Sequence, residues 1–154
     1  MKPRRKISYD EGSCFVFPLE GGGFARGVVA RMNGKGAVFG YFFGPRLTAI
    51  EEANLDGLDP NKAILRGDFG DLGLLKGEWK IYGRVSNWNR SEWPIPPLIR
   101  VDDIAKRAWL RYIDDVSFSS IREEEVDPVL VDRYPYDRVM GYVAVEIRMA
   151  KLLE

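Results

Sequence analysis

The sequence predicts an α+β fold: a mainly antiparallel, strongly curved and barrel-like β-sheet with a C-terminal helix packed on it. Short apolar segments alternate with turns rich in glycine and asparagine, prolines interrupt the second half, and the last segment has helical spacing. The 154 residues are 45% hydrophobic, enough to bury a core without disulfides or metal. We expect one domain over residues 1–154, with residues 1–10 as a loosely ordered N-terminal arm.

The first half of the chain predicts a meander of three strands at residues 14–19, 24–32 and 37–43. A glycine triplet at 21–23 and Asn33-Gly34 separate them, and both tolerate the positive φ angles that tight hairpins demand. The alternation of apolar and polar residues is imperfect, which favours a curved sheet partly buried on both faces. Gly44-Pro45 is expected to end the third strand.

The middle of the chain is less regular. Residues 47–60 hold either a short helix or an ordered loop, and the pattern leaves both open. Extended segments are predicted at 63–69 and 79–85, with a turn and short helix between them. Beyond these, Trp93-Pro94-Ile95-Pro96-Pro97 imposes an extended, ordered crossing.

A late strand is predicted at residues 107–113. Its alternation places Arg107, Trp109, Arg111 and Ile113 on one face. The final segment, 137–153, fits both strand and helix periodicity. Its helix-forming composition and Asp137 as a plausible N-cap favour a helix.

Composition excludes several kinds of site. The chain has no histidine, which removes Ser-His-Asp and Cys-His nucleophilic sites. One cysteine, Cys14, cannot form an internal disulfide, and without histidine the usual zinc sites cannot be assembled. We therefore predict no catalytic, metal-binding or cofactor-binding residues and no enzyme activity. The glycine-rich turns do not match a phosphate-binding loop.

Two alternatives remain open. Paired carboxylates could serve a glycan hydrolase, although sequence neighbours on a strand face opposite sides and nothing singles out a working pair. A small nucleic-acid-binding barrel would gather a set of cations on one aromatic face, but the formal net charge is zero. Those cations would be Arg26, Arg31, Lys35 and Arg46.

Charge and hydropathy bear on location and partners. Residues 1–46 contain eight basic and three acidic residues, whereas residues 100–137 contain six basic and ten acidic ones. Such polarity can steer a charged partner. No apolar run approaches the roughly 20 residues of a membrane helix, and none follows the basic N-terminus. We expect a cytoplasmic protein with no membrane partner.

Three segments resemble the immunity protein 26 family of bacterial polymorphic toxin systems. The pair Glu11-Gly12-Ser13-Cys14-Phe15-Val16-Phe17-Pro18-Leu19 and Phe24-Ala25-Arg26-Gly27-Val28-Val29 resembles its opening hairpin, with Ser13 where the family usually has Asp. Gly77-Glu78-Trp79-Lys80-Ile81-Tyr82-Gly83 is similar to its G-x-W-x-I-x-G turn, with Pro96-Pro97-Leu98-Ile99 like its proline-led strand. Val143-Ala144-Val145-Glu146-Ile147-Arg148 is similar to its closing helix.

The resemblance implies a non-enzymatic protein that binds a cognate toxin domain by occluding its active site or substrate groove. Tight inhibitors combine buried aromatic anchors with complementary charge. The expected partner-binding residues are therefore exposed tryptophans and two acidic loops: Trp88, Trp93, Asp114, Asp115, Glu123, Glu124 and Glu125. For a basic nuclease, these carboxylates would stand in for nucleic-acid phosphates.

Overall fold

A computed structural model describes residues 8–154, and these residues form a strand-rich α+β fold with a C-terminal helix. Residues 1–7 of the N-terminal arm expected at 1–10 lie outside the described residues. The strands lie in two sheets. They are β1 (Ser13–Pro18), β2 (Phe24–Met32), β3 (Ala37–Leu47), β4 (Leu65–Gly70), β5 (Lys80–Arg84), β6 (Leu98–Asp102), β7 (Arg107–Ile113), β8 (Ser120–Val126) and β9 (Val139–Met140). The α-helices are α1 (Leu72–Lys76) and α2 (Tyr142–Leu152).

The larger sheet has the order β5-β1-β2-β3-β4-β9 and is antiparallel except for the β4–β9 pair. Strands β1 to β3 form the predicted meander. Within the described part of the chain β5 and β9 do not pair with each other, so the sheet is open and the expected barrel-like form is not confirmed.

The prediction that Gly44-Pro45 ends the third strand is wrong. Strand β3 continues to Leu47 through a cis Gly44–Pro45 peptide. Pro45 lies where the β2–β3 register shifts, between the Arg26–Phe43 and Phe24–Leu47 pairs. A strand accepts proline at such a bulge because the missing N–H removes no regular ladder bond.

The smaller sheet is the antiparallel meander β6-β7-β8. Strand β7 confirms the predicted late strand. Residues 123–125, which were expected in a loop, lie instead in strand β8, and this strand is exposed along nearly its whole length. Polar residues therefore occupy both of its faces, and no alternation reveals it in the sequence.

Helix α2 confirms the expected closing helix, but it starts at Tyr142, after the N-cap residue Gly141. Asp137 is not the N-cap, because its carboxylate accepts two hydrogen bonds from Arg111. Val145 and Met149 are fully buried in a core that includes Phe15.

A second core cluster fills the opposite side of the larger sheet. It includes Cys14, Val28 and Tyr41 from that sheet, together with Trp93 and Leu98. The larger sheet is therefore covered on both faces, which explains why its strands lack strict alternation.

Candidate partner-binding surface

Trp88 and Trp93 lie in the crossing between β5 and β6, with ring centroids 5.5 Å apart. The expectation that both are exposed is wrong for Trp93, which is only 2% exposed and packs edge-on against Tyr41 at 5.0 Å. The crossing folds back onto the larger sheet and buries this indole. Trp88 is half-buried beside Gly12, where a Cβ would lie 2.9 Å from its Cδ2 atom.

Arg31 of β2 fastens this crossing from inside the molecule. Its side chain is buried, and its guanidinium donates to the carbonyl oxygens of Trp93 at 3.0 Å and Arg90 at 2.8 Å. The Nε atom reaches Asp115 Oδ2 at 3.4 Å. A buried cation thus holds the crossing and the β7–β8 turn together.

Arg90 completes the link on the surface. It donates to Asp115 at 3.2 Å and to both carboxylate oxygens of Glu11, at 2.8 and 3.2 Å. The hydrogen bond to Glu11, followed by the charges of Glu11 and Asp115, raises the pKa of Arg90. The structure therefore brings Trp88, Trp93 and Asp115 together.

Asp114 belongs to the same β7–β8 turn as Asp115, but its carboxylate bonds to groups within that turn. Its Oδ2 atom accepts hydrogen bonds from the amides of Val116 and Ser117 and from the Ser117 hydroxyl, at 3.0, 2.7 and 2.9 Å. These bonds lower the pKa of the carboxyl, the Ser117 amide having the largest effect. Asp114 thus shapes the turn that presents Asp115.

The three glutamates of β8 face alternate sides of the smaller sheet. Glu125 accepts two hydrogen bonds from Arg107, at 3.0 and 2.6 Å, and Glu123 lies 3.7 Å from Arg100. On the other face Glu124 accepts from the Tyr112 hydroxyl at 2.8 Å. Hydrogen bonding to Arg107 lowers the pKa of Glu125, and hydrogen bonding to Tyr112, then Arg122, lowers that of Glu124.

Trp109 is a residue of this surface that the sequence analysis did not select. The guanidiniums of Arg100 and Arg107 both lie over its ring, with Cζ atoms 4.5 and 5.1 Å from the ring centroid. The predicted alternation of β7, which puts Arg107 and Trp109 on one face, was the available signal. Glu125 pairs with Trp109 across the β7–β8 ladder. Trp109 is four residues from Ile113, the last residue of β7, so Glu125 lies about 13 Å from the β7–β8 turn.

Asp137 lies near enough to Asp68 for its charge to act on the Asp68 carboxyl. Burial, together with the Asp137 charge, raises the pKa of Asp68 to about 6, against the lowering effect of Arg111. Asp68 is buried, its Oδ1 atom has no hydrogen-bond partner, and neither carboxylate lines any of the four cavities described. Among residues 8–154 no group of three or more His, Cys, Asp or Glu side chains is placed to hold a metal ion.

Three of the four cations expected of a nucleic-acid binder have partners within the protein, and the fourth, Lys35, is exposed in the β2–β3 turn. Arg26 is buried and donates to the carbonyl oxygens of Asn54, Asp56 and Gly44 at 2.7–3.0 Å. Arg31 is buried as described, and Arg46 reaches the carbonyl of Ala150 at 3.3 Å. These guanidiniums bind main-chain oxygens, so the structure does not favour the nucleic-acid alternative.

The described residues thus form a strand-rich α+β fold whose smaller sheet carries ion-paired carboxylates and aromatic rings. Residues 10–110 match the family model described as Immunity protein 26. The match covers more than half of the chain, so this protein belongs to the immunity protein 26 family. The opening hairpin and the Trp79 turn lie inside the matched range, whereas the α2 segment at 143–148 lies outside it.

Searches of curated proteins and of solved structures found no match. No helix in residues 8–154 has both the length and the apolar character needed to cross a membrane.

Proposed function

We propose that this chain is a cytoplasmic immunity protein that binds a cognate toxin domain and neutralises it without catalysis of its own. The observation that carries the proposal is membership of the immunity protein 26 family over residues 10–110. The absence of histidine from the sequence is consistent with a role in binding, because it removes the commonest general acid and base.

The proposed contact surface has three accessible carboxylates, on Asp115, Glu123 and Glu125. Their side chains are 44%, 41% and 49% exposed. Each is oriented by an arginine of the same surface, so little side-chain freedom is lost when a partner binds. Free lone pairs on these oxygens can accept further hydrogen bonds from cations of the toxin.

The remaining predicted residues support this surface from below or beside it. Trp88 supplies half-buried apolar area beside Trp93, which anchors the crossing in the core, and Asp114 holds the turn. Glu124 lies on the opposite face of β8 and contributes to the acidic field. Because residues 100–137 carry ten acidic against six basic residues, a basic toxin groove would be attracted at long range.

The test is co-expression of this chain with the product of the adjacent reading frame, followed by measurement of growth and co-purification. We expect the chain to restore growth and to co-purify with that product. If the co-expressed product is toxic, and this chain neither relieves the toxicity nor forms a complex with that product, the immunity function is refuted.

The surface is tested separately on the purified complex by stopped-flow association at low salt. The triple variant Asp115→Asn, Glu123→Gln and Glu125→Gln should associate about tenfold more slowly, through lost steering. Its matched control is Glu20→Gln, Glu51→Gln and Glu154→Gln, which removes the same charge at three exposed positions elsewhere. Equal association rates for the two triple variants would rule out this surface while leaving the immunity function standing.

A further inference from the structure

The strongest feature outside the surface described above is a groove along the outer edge of β4, formed by different residues. Strand β9 pairs with β4 only at Asp68 and Phe69. The chain before β9 turns away to β6, where the amide of Asp137 donates to the carbonyl of Ile99 at 2.9 Å. In the described chain, no strand therefore runs beside Leu65–Gly67 on this side.

Two adjoining cavities, of about 250 and 420 Å³, form what we call the β4 groove. Both are lined by Leu65 and Arg66 of β4 and by Tyr136 and Arg148. Helix α2 forms one wall of the larger cavity, and residues 131–136 form a wall of the smaller one.

Several apolar side chains around the β4 groove are exposed to solvent. Tyr136 is 54% exposed, Val139 64% and Ile147 42%. Next to the open strand edge, Ile64 is 42% exposed. An open strand edge flanked by exposed apolar groups is the arrangement to which an extended peptide adds as a further strand.

The positive charge around the β4 groove favours a peptide with a net negative charge. The lining includes five cations and one carboxylate, that of Asp132. Arg66 lies beside the Tyr41 hydroxyl, and the other four cations are exposed and form no ion pair with any described residue. These four are Arg133, Arg138, Arg148 and Lys151.

We propose that the β4 groove binds an extended, acidic segment of a partner protein, which pairs with the outward-facing main chain of Arg66 and places carboxylates against the surrounding cations. Apolar side chains of the segment would alternate with the acidic ones and rest on Tyr136, Val139 and Ile147. The proposal goes beyond the immunity function, because it holds for whatever partner carries the segment.

The test uses the full chain and a panel of synthetic seven-residue peptides that alternate glutamate with valine or tyrosine. Each has two counterparts, one with lysine for glutamate and one with alternate peptide nitrogens methylated. We expect the glutamate peptides to bind at least tenfold more tightly than either counterpart, because methylation removes the donors needed for strand pairing. Hydrogen exchange at the amide of Arg66, which faces away from β3, should slow when a glutamate peptide binds.

A triple variant, Arg138→Glu, Arg148→Glu and Lys151→Glu, should lower the affinity at least tenfold. The control Lys35→Glu, Lys76→Glu and Lys80→Glu makes the same charge change at exposed positions away from the β4 groove and should leave affinity within twofold. The proposal is overturned if no glutamate peptide binds, if the lysine counterparts bind equally, or if binding leaves exchange at the Arg66 amide unchanged. These peptide outcomes use the unaltered protein and do not depend on folding of the variants.

Discussion

The indole Nε1 of Trp79 donates a 2.9 Å hydrogen bond to Glu146 Oε2, which joins the start of β5 to helix α2. The same ring is 1% exposed and stacks on Phe15, with centroids 5.2 Å apart and planes inclined by 15°. One side chain thus combines an apolar contact with the sheet and a polar contact with the helix.

Glu146→Ala should lower the free energy of unfolding by about 1–2 kcal/mol, because the buried indole N–H loses its acceptor. Glu146→Gln keeps an acceptor oxygen and should lose less. Urea denaturation measures both, with Glu154→Ala as a control at an exposed position. If Glu146→Ala is no less stable than that control, the hydrogen bond does not stabilise the helix on the sheet.

Gly27→Ala should be destabilising, because the added Cβ would lie 2.4 Å from Cζ of the fully buried Phe15. The ring has no free space to move into, since Phe17, Phe42, Phe69 and Trp79 all lie within about 6 Å of it. Overpacking of this kind costs roughly 1–3 kcal/mol.

Gly70→Ala is the matched control, because a Cβ there meets no atom within 4 Å. It should change the free energy of unfolding by no more than about 0.5 kcal/mol. Thermal or urea unfolding of the two variants compares them directly. Similar losses for both would mean that the close approach of β2 to Phe15 is not what requires glycine at position 27.

Asp68 should make stability depend on pH in a defined window. Its pKa is about 6 in the folded protein, against an ordinary value of 3.8 for an aspartate in an unfolded chain, so folding favours the protonated form. The stability contributed by this proton is present below about pH 4 and is lost as pH rises through 6. Asp68→Asn removes the titration, so the variant should gain about 1–3 kcal/mol relative to the parent across that range.

Denaturation at several pH values between 4 and 7 measures that difference. Comparison with Asp68→Asn cancels the titration of the other carboxyls, several of which have lowered pKa values and act in the opposite direction. A difference that stays constant from pH 4 to pH 7 would show that Asp68 ionises at an ordinary pKa in the folded state.

Cys14 should be unreactive in the folded protein. Its side chain is fully buried, and burial raises the pKa of the thiol to about 12, although Arg26 acts to lower it. Since the thiolate is the reactive form, N-ethylmaleimide at pH 8 should modify the protein only in denaturant. Mass spectrometry detects the adduct, and complete labelling of native protein within minutes would contradict this burial.

The sequence was sufficient to predict most of the larger sheet, because Asn33-Gly34 and the apolar segments around it determine local structure. It was not sufficient for β8, because polar residues on both faces of this strand leave no alternation of apolar and polar residues. Nor was it sufficient for Trp93, whose burial depends on contact between the crossing and residues distant in sequence. The link from Asp115 to Arg31 spans 84 residues of sequence, and no local pattern encodes it. The family resemblance, by contrast, rested on turn and core residues that the sequence displays directly.

Arg31 makes the crossing between β5 and β6 more rigid than the prolines of the crossing alone would make it. A segment held at two carbonyls by a buried guanidinium has already lost most of its conformational freedom before any partner arrives. A protein that docks on Trp88 and Asp115 would therefore meet a rigid template. Complex formation should then occur in a single step. Its observed rate constant should increase linearly with partner concentration, with no slow rearrangement after contact.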